Sequence, residues 1–368
     1  MLEQAIIIGA GFSYYAGLPL QADFTTQLLR GSQFTKGPSK RLVEYLFPFV
    51  SDTFHPREEH DPDRWPDLED LFTCIDLSAN SGHHLGNKHS PAVLRTVRRA
   101  LIARTIRMLS QAYETKKAKP DENWRVLEAL LKGIMPDTNA FISLNWDTVA
   151  EERILELHAG ATIRYGADFI PARFPTSGNR IIAVKPKPTA PELRVAKIHG
   201  STNWLYCDNC RNVYWFDPQE SLRIADQILS KAEWRCIAPK SPGNAKEQLE
   251  CPRCEGVVLS TRIATFSYRK ALDFPMFHQS WRNAEQVLTG AKRWVFIGYS
   301  LPAADYEFKY LLKRIELARP KPPDVIVVTG GDGAATARKN YRRFFGTRLN
   351  KHVFNDGLTD QAIAYITT

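Results

Sequence analysis

Residues 5–13 read Ala-Ile-Ile-Ile-Gly-Ala-Gly-Phe-Ser, a short apolar run that stops at small residues. Such a run is typical of a buried parallel strand that enters a tight turn. Small residues there let the backbone approach a pyrophosphate, and the helix start beyond offers it free N–H groups. Glycine also occurs in strand-to-helix turns for packing reasons, and Tyr14 stands where the third glycine of the dinucleotide fingerprint would fall. On its own, the turn leaves nucleotide binding and plain packing equally open.

Four more apolar runs have the length of buried strands, and Gly, Asn or His follows close behind each of them. They cover residues 140–144, 195–198, 294–297 and 325–328. Helical patterns lie between them, as at residues 123–134 and 303–317. This alternation predicts an α/β fold with a Rossmann-like, doubly wound parallel sheet.

Two regions interrupt the alternation and define the predicted domains. Residues 47–90 are rich in Pro, Asp and His and are predicted to be irregular, and a basic amphipathic helix follows over about 91–113. We interpret residues 45–115 as a helical insertion and residues 201–262, which hold two Cys-x-x-Cys pairs, as a small zinc-ribbon module. The Rossmann-like domain, of a fold that binds dinucleotides, is then expected to comprise residues 1–44, 116–200 and 263–368.

The charge balance admits several classes of partner. The 368 residues include 49 Lys and Arg against 40 Asp and Glu, a formal net charge of +9. This excess suits nucleic acid, a phosphate-rich cofactor or an acidic protein surface. Five arginines cluster on the basic helix, and we interpret them as a solvated face rather than a binding patch, because a charge run alone is weak evidence. They are Arg95, Arg98, Arg99, Arg104 and Arg107.

The expected cellular location depends on two sequence features, a membrane-spanning apolar segment and a secretion signal, neither of which is found. No window is long and apolar enough to span a membrane, and residues 1–4 lead straight into an apolar strand without a basic, signal-like region. A cytoplasmic protein is therefore expected.

Polar residues follow two of the predicted strands at the ends where ligands bind. Asn145 and Asp147 come after residues 140–144, and His199 follows residues 195–198. In open parallel sheets, ligands bind outside the carboxyl ends of the strands. Asn145 and Asp147 also suit a turn and a helix cap. A lone histidine is more often structural than catalytic, although neutral imidazole can take a proton near physiological pH.

Three further turns suit either a nucleotide or an ordinary loop. Residues 16–19, followed by Asp23 and Phe24, predict a bent loop that folds over a cofactor or lies on the surface, because Pro19 disfavours helix at the residue before it. Residues 298–300 form a polar turn suited to a ribose or phosphate. Thr329 opens the turn after the last predicted strand, where the backbone can approach an adenine.

The cysteines give the most specific local signal. Four of the six form two Cys-x-x-Cys pairs, Cys207 with Cys210 and Cys251 with Cys254. Two such pairs suit a tetrahedral zinc site better than disulfides or redox pairs in a cytosolic chain. Four sulfurs leave no open coordination position, so the zinc is predicted to be structural. Cys74 is predicted to be a buried apolar residue.

Taken in order, these motifs resemble the sirtuin-like family. The order is Gly-Ala-Gly-x-Ser, Ala-Gly-x-Pro with Asp-Phe, Asn-Trp-Asp, His-Gly-Ser, two Cys pairs and Gly-Tyr-Ser-Leu-Pro, from residue 6 to about residue 332. The resemblance implies NAD+ as the ligand, with its phosphates and riboses at the first and the Gly-Tyr-Ser turns. The implied cofactor contacts are Gly9, Ala10, Gly11, Ser13, Asp23, Phe24, Gly298, Tyr299, Ser300 and Thr329.

The resemblance also implies three catalytic residues. Asn145 and Asp147 match the family's Asn-x-Asp step beside the nicotinamide ribose and carboxamide, and His199 matches the catalytic base of its His-Gly step. We expect Asn145 to orient the ribose and an attacking water. Asp147 is expected to hold the carboxamide, and His199 to take a proton from a ribose hydroxyl or from water.

Departures from the sirtuin deacylases indicate a different reaction. Deacylases carry Pro-Asp-Phe-Arg, whereas here three residues separate Pro19 from Asp23 and Thr25 stands in place of Arg. Leu144 replaces their glutamine, and no Phe-Gly-Glu follows Cys254 to pair with a peptide. The chain is more similar to the bacterial sirtuin-like proteins of anti-phage defence, which implies hydrolysis of NAD+ to nicotinamide and ADP-ribose.

Two other functions stay open at the level of sequence. One is an NAD-dependent protein-lysine deacylase, and the other is a non-catalytic sensor of NAD+ or ADP-ribose. An unregulated NAD+ hydrolase would harm its own host, and few residues follow Asp332 to form a sensor domain. Gating is therefore expected to come from homo-oligomeric assembly or from a separate partner, such as a defence-associated ATPase.

Overall fold

The structure is a computed structural model that describes residues 2–30, 36–54, 65–166, 168–185, 191–240, 247–257, 259–261, 275–349 and 352–368. The described strands are β1 Gln4–Ile8, β2 Asn139–Ser143, β3 Thr162–Arg164, β4 Phe169–Arg173, β5 Ile182–Ala183, β6 Glu192–Lys197, β7 Trp204–Cys207, β8 Val213–Trp215, β9 Leu259–Ser260, β10 Arg293–Ile297, β11 Asp324–Val328 and β12 Val353–Phe354. The described α-helices are α1 Ala10–Tyr14, α2 Gln21–Leu29, α3 Pro38–Phe54, α4 Leu68–Ser81, α5 Pro91–Ala118, α6 Glu122–Gly133, α7 Val149–Leu157, α8 Ser221–Gln227, α9 Lys231–Ile237, α10 Pro275–Gly290, α11 Tyr306–Ala318, α12 Ala334–Phe345 and α13 Asp360–Thr367.

The main sheet has seven parallel strands in the order β12-β11-β10-β1-β2-β6-β3. All five residues of β1 are buried, as expected for a central strand covered on both faces. After β1 the chain first forms β2, β3 and β6 on one side of β1, and it later forms β10, β11 and β12 on the other side. This confirms the predicted α/β fold with a doubly wound sheet.

Alternate side chains of β1 enter two separate cores. Ile6 and Ile8 belong to a core that includes residues of α2 to α6, whereas Ala5 and Ile7 belong to one that includes α10, α11 and α12. Side chains alternate between the two faces of a strand, so a continuous apolar run fills both layers. The sheet is thus held between two helical layers, and its strand ends remain as the place for a ligand.

The region before α5 is more helical than predicted. The expectation of irregular structure is wrong for residues 47–54, the end of α3, and for residues 68–81, which form α4. In α3, Leu42, Leu46 and Val50 recur at helical spacing and are fully buried, so packing outweighs Pro48 within the helix. The remaining part of the predicted irregular stretch includes residues 55–64, which lie outside the described residues.

The arginines of α5 hold the helical layer together. Arg104 is fully buried, its Nε donates to the Leu28 carbonyl at 2.9 Å, and burial lowers its pKa to about 10. Arg98 pairs with Asp76 at 2.6 Å, and Arg107 is buried against a carboxylate of α8. The predicted solvated face is therefore wrong for Arg104 and Arg107, because these side chains point into the protein.

A second sheet of five strands has the order β5-β4-β8-β7-β9. β8 pairs in parallel with β4 and antiparallel with β7, and β9 completes the other edge. The predicted module over 201–262 contains β7, β8 and β9. The other two strands of this sheet, β4 and β5, come from residues 169–183, which precede the predicted module. In the part of the chain that the structure describes, no helix has the length and hydropathy to cross a bilayer.

Candidate active site and metal centre

The candidate site lies where the sheet changes its winding direction. β1 and β10 are neighbours, and the chain continues from them to strands on opposite sides. In doubly wound sheets the helical connections diverge at such a point, and ligands bind in the crevice outside the carboxyl ends of the two strands. The turns after β1 and β10 therefore form the base of the candidate site.

Three glycines allow these two turns to interlock. The Gly11 N–H donates to the Gly298 carbonyl at 2.9 Å. A Cβ at Gly298 would lie 2.2 Å from the Phe12 nitrogen, and a Cβ at Gly9 would lie 2.7 Å from the Gly298 oxygen. Because no side chain fits between the two backbones, glycine is required for packing at these positions. A backbone surface without side chains is also what a pyrophosphate requires.

Asn145 connects the first glycine turn to the loop after β2. Its Nδ2 donates to the Gly9 carbonyl at 2.8 Å and to Ser13 Oγ at 2.9 Å. Ser13 Oγ in turn donates to Asp147 Oδ2 at 2.8 Å. Both amide hydrogens of Asn145 are thereby used, while its Oδ1 accepts no hydrogen bond from the described residues. The structure brings together two predicted catalytic residues and one predicted phosphate contact.

Asp147 also contacts the start of the helix that follows it. Its Oδ1 accepts a hydrogen bond from the Val149 N–H at 3.1 Å at the start of α7. The N-cap itself is Thr148, so Asp147 supports the first turn of α7 from the residue before the cap and contacts Ser13 as well. Since both carboxylate oxygens have partners, a bound carboxamide would share them with these donors.

His199 is buried and has a fixed orientation. Its Nδ1 lies 3.0 Å from the Leu144 carbonyl, and its Nε2 lies 4.0 Å from Asp305 Oδ1. A carbonyl accepts but cannot donate, so Nδ1 carries the hydrogen and a neutral ring keeps its lone pair on Nε2. Leu144 precedes Asn145, so His199 and Asn145 lie at the same end of the sheet. A single pocket that contains both side chains requires His199 and Asn145 to lie at the same end of the sheet, as they do here.

A buried lysine, which the sequence analysis missed, stabilises the loop that carries Asn145. Lys197 is fully buried at the end of β6, and its Nζ donates to the Asp147 carbonyl and lies 3.1 Å from Glu151 Oε1. Burial raises the pKa of Glu151, while the ammonium opposes that shift. The signal in the sequence was one charged residue inside the apolar run of residues 195–198, because such a residue needs a partner when it is buried.

The other predicted cofactor residues are distributed differently. Asp23 is exposed on α2, and the Phe24 ring is buried against Trp146 with centroids 6.4 Å apart. The bent loop therefore ends at residue 20, and both residues lie on a helix. The Tyr299 ring is buried, and its hydroxyl donates to Asp305 at 2.9 Å.

Three more of these residues border the turns after β1, β10 and β11. Ala10 is exposed at the start of α1, and Ser300 is exposed after β10. Thr329 is buried, and its N–H donates to the Phe354 carbonyl at 2.9 Å. Gly298, whose N–H donates to the Val328 carbonyl at 3.1 Å, connects the last two of these turns.

The two Cys-x-x-Cys pairs converge on one point. All four sulfurs lie within 4.8 Å of one another, with Cys207 and Cys254 at 3.5 Å and Cys210 and Cys251 at 3.6 Å. A tetrahedral zinc with Zn–S bonds of about 2.3 Å separates its sulfurs by about 3.8 Å. The cluster therefore fits the structural zinc site that the sequence predicts.

The surroundings of the cluster act differently on its thiols. The Gly256 N–H lowers the pKa of the Cys254 thiol to about 6, toward the thiolate form that binds a metal, whereas burial raises the pKa of Cys207 to about 12 and also raises that of Cys210. Cys236 is exposed and lies outside the cluster. Cys74 is only half-buried, so the prediction of a buried apolar residue there is wrong.

Comparisons with known proteins find Sir2 structures. No protein-family model matches the chain, and no curated protein matches it. A structure of Sir2 with a p53 peptide and NAD+ has a TM-score of 0.39 and 14% identity, covering 99% of this chain and 92% of that chain. A mutant Sir2 homologue with ADP-ribose has a TM-score of 0.40 and 12% identity, covering 99% and 90%. At these TM-scores the likeness assigns no family, and functional inference depends on this chain's own residues.

Proposed function

We propose that this chain hydrolyses NAD+ to nicotinamide and ADP-ribose. The observation that carries the proposal is the hydrogen-bonded set of Asn145, Ser13 and Asp147 beside the Gly9 carbonyl, with His199 at the same strand ends. The set borders the crevice at which doubly wound sheets bind dinucleotides. The resemblance of the ordered motifs to sirtuin-like proteins supports the same ligand.

The geometry suggests how the substrate lies in this crevice. The diphosphate would lie beside the interlocked turns of Gly9, Gly11 and Gly298, where these residues carry no side chain that would keep it from the backbone. The nicotinamide ribose would then extend toward Asn145 and His199. In this orientation the bond to be broken would lie beside Asn145, which can orient a water, and His199, which can deprotonate it.

The chemical step requires positioning and one proton acceptor. The bond between ribose C1′ and the nicotinamide nitrogen breaks, its electron pair stays on nicotinamide, and positive charge develops on the ribose. Water attacks C1′ while hydrogen-bonded to Asn145 Oδ1, whose amide hydrogens already hold the loop. The proton that water loses passes to His199 Nε2. The products are nicotinamide and ADP-ribose.

Regulation forms part of the proposal. An NAD+ hydrolase that is always active depletes the NAD+ of its own cell, and the motif order resembles that of anti-phage defence proteins. We therefore assign the activity to defence through NAD+ depletion, gated by self-assembly or by a partner protein such as an ATPase. Nicotinamide release per chain should rise with protein concentration or on addition of the partner. Full activity of a dilute monomer would contradict the gating.

Product identification tests the reaction. The purified chain is incubated with NAD+, with and without an acetyl-lysine peptide, and the products are identified by mass spectrometry. We expect nicotinamide and ADP-ribose in both reactions. Acetylated ADP-ribose that forms only with peptide would instead establish a deacylase. Binding of NAD+ without any product, at all concentrations and with candidate partners, would establish a sensor.

Variants test the assigned residues. His199→Ala and Asn145→Ala should each lower the rate of NAD+ cleavage by about a hundredfold or more, as expected for loss of a proton acceptor or a water-orienting group. The matched controls are His83→Ala and Asn87→Ala, which remove exposed side chains of the same types. Melting temperatures show whether each variant is folded. A folded His199→Ala protein with the parental rate would disprove the assignment of the base.

A further inference from the structure

A second cavity lies away from the crevice at the first glycine turn. Its volume is about 410 Å³, and its walls come from β6, from α10 and from the segment around residues 164–169. Small-molecule sites usually occupy about 300–1,000 Å³, so a ligand of nucleotide size fits. Ala196 of β6 packs in the core beneath α10, so the cavity lies on the α10 face of the sheet.

Three arginines line this cavity against a single carboxylate. Arg164, Arg194 and Arg282 face Asp168, which leaves two positive charges in excess among the lining residues. Arg164 pairs with Glu192 at 3.0 Å. Within the described ranges, the guanidinium groups of Arg194 and Arg282 form no hydrogen bond or ion pair. The described part of the cavity therefore offers these two guanidinium groups to an incoming anion.

Strand register brings two of these charges side by side. Arg164 of β3 is in register with Arg194 of β6 in a parallel pair at the edge of the sheet. Adjacent strands lie about 4.8 Å apart, so their side chains on one face are neighbours. Like charges at directly paired positions destabilise a sheet. An anion bound between the two guanidinium groups would remove this repulsion.

The helical wall of the cavity is polar. Gln279, Arg282, Asn283 and Gln286 of α10 share one helical face and line the cavity. Asn283 Nδ2 donates to the Tyr165 carbonyl at 2.6 Å, which joins this wall to the opposite one. The amide side chains add hydrogen-bond donors beside the arginines, so the wall is already arranged for oxygen-rich groups.

The remaining lining is apolar. Phe169, Val195, Ala196 and Val287 line the rest of the cavity, and all four residues are buried. An apolar surface next to cationic groups matches a ligand with both an apolar portion and an anionic portion. Guanidinium groups bind phosphate oxygens through two parallel hydrogen bonds, which makes arginine well suited to phosphorylated ligands.

We propose that this cavity binds a small phosphorylated ligand of nucleotide size, separately from the NAD+ crevice. Its concave shape and apolar lining favour a small molecule over a nucleic-acid backbone, which would require an open basic surface. Phosphate groups would lie between Arg194 and Arg282, with Arg164 beside them. This site is independent of the proposed hydrolysis, because none of its lining residues belongs to the Asn145 and His199 set.

Calorimetry with inorganic pyrophosphate tests the site. The probe is titrated into the full chain, into the double variant Arg194→Gln/Arg282→Gln and into the control Arg342→Gln/Arg343→Gln, which loses the same charge from exposed positions on α12. Loss of two charge-assisted contacts should raise the Kd of the first double variant by at least about tenfold. The control should bind like the parent. Both double variants change only exposed side chains, so we expect their melting temperatures to equal that of the parent chain.

Three outcomes would overturn the proposal. The first is that the parent chain does not bind pyrophosphate. The second is that both double variants lose affinity equally, which would mean that only net charge matters. The third is that pyrophosphate binding is insensitive to the loss of Arg194 and Arg282. A short DNA duplex forms a second arm of the experiment. If the first double variant loses DNA affinity while the parent ignores pyrophosphate, the arginines form a nucleic-acid surface and the small-molecule site does not exist.

Discussion

At the residue scale, the candidate site depends on the absence of side chains. Gly298 has φ of +61°, and its nearest neighbours across the interface are backbone atoms of Gly11 and Phe12. The residue at this position must therefore meet two requirements: it must adopt a left-handed backbone conformation, and it must leave room for direct contact with another backbone segment. Glycine meets both, since it has no Cβ to collide and no penalty for positive φ.

A pair of substitutions separates these demands. Gly331 has φ of +66° but no atom within 4 Å of an added Cβ, so Gly331→Ala should cost only the left-handed penalty of about 1–2 kcal/mol. Gly298→Ala should destabilise the chain by clearly more, because its Cβ meets backbone at 2.2 Å. Urea denaturation of both variants gives the two free energies of unfolding. If both variants lost the same free energy of unfolding, the turns after β1 and β10 could move apart at little cost in free energy, and the contact at Gly298 would not be needed for stability.

At the scale of elements, a buried acid lies between α5 and α7. Glu152 on α7 is 3.2 Å from Lys117 on α5, and burial raises its pKa from 4.5 to about 7. The native chain therefore holds a proton on Glu152 over a range of pH in which the unfolded chain has released it. The contribution of Glu152 to stability therefore falls as pH rises from about 4.5 to about 7, because this group binds more protons in the native state than in the unfolded state there.

Glu152→Gln should flatten this part of the stability curve. Glutamine does not titrate, so the fall in melting temperature between pH 4.5 and pH 7 should be smaller in the variant than in the parent. Glu122→Gln, at an exposed position on α6, is the control and should follow the parent curve. Parallel curves for parent and Glu152→Gln would show that burial does not shift this carboxyl group.

The central strands could be predicted because their sequences are apolar throughout. Residues 5–8, 140–144 and 294–297 lie within one residue of β1, β2 and β10. The edge strands β3 and β12 were missed, since two or three residues at a sheet edge have no distinctive pattern. The helices α3 and α4 were missed because Pro48 and the acidic residues obscured a regular apolar spacing.

The candidate site could be predicted in part. Asn145, Asp147 and His199 follow apolar strands, and the ends of parallel strands meet at one edge, so their proximity followed from the fold class. The arginine-lined cavity could not be predicted, because Arg164 and Arg194 are brought together only by the register of β3 on β6. Pairing register depends on tertiary packing, which a single sequence does not specify.

At the scale of the whole molecule, hydrogen bonds connect the smaller sheet to the candidate site. Asn203 Nδ2, just before β7, donates to the Tyr165 hydroxyl at 3.2 Å, and that hydroxyl donates to Glu151 at 3.3 Å. Glu151 pairs with Lys197, which holds the Asp147 carbonyl. The sheet that contains Cys207 is therefore linked through buried polar groups to the loop that carries Asn145.

Removal of the metal should accordingly affect more than the cysteine cluster. Cys251→Ser should lose zinc, lower the melting temperature and reduce NAD+ cleavage, because thiolate ligands provide much of the folding energy of such sites. Cys236→Ser is the control, since Cys236 is exposed and outside the cluster. Zinc content by atomic emission should be near one per chain for parent and control. A Cys251→Ser protein that retains zinc would contradict the four-sulfur assignment.

The interlocked turns also restrict how this sequence can change over generations. Gly9, Gly11 and Gly298 contact backbone, and backbone cannot be made smaller by substitution of the partner residue. A harmful replacement at Gly11 or Gly298 therefore has no second-site suppressor across that contact, in contrast to a crowded core where a neighbour can shrink. Reversion is the simple remedy, so genetic selections on this protein should recover true revertants at these positions.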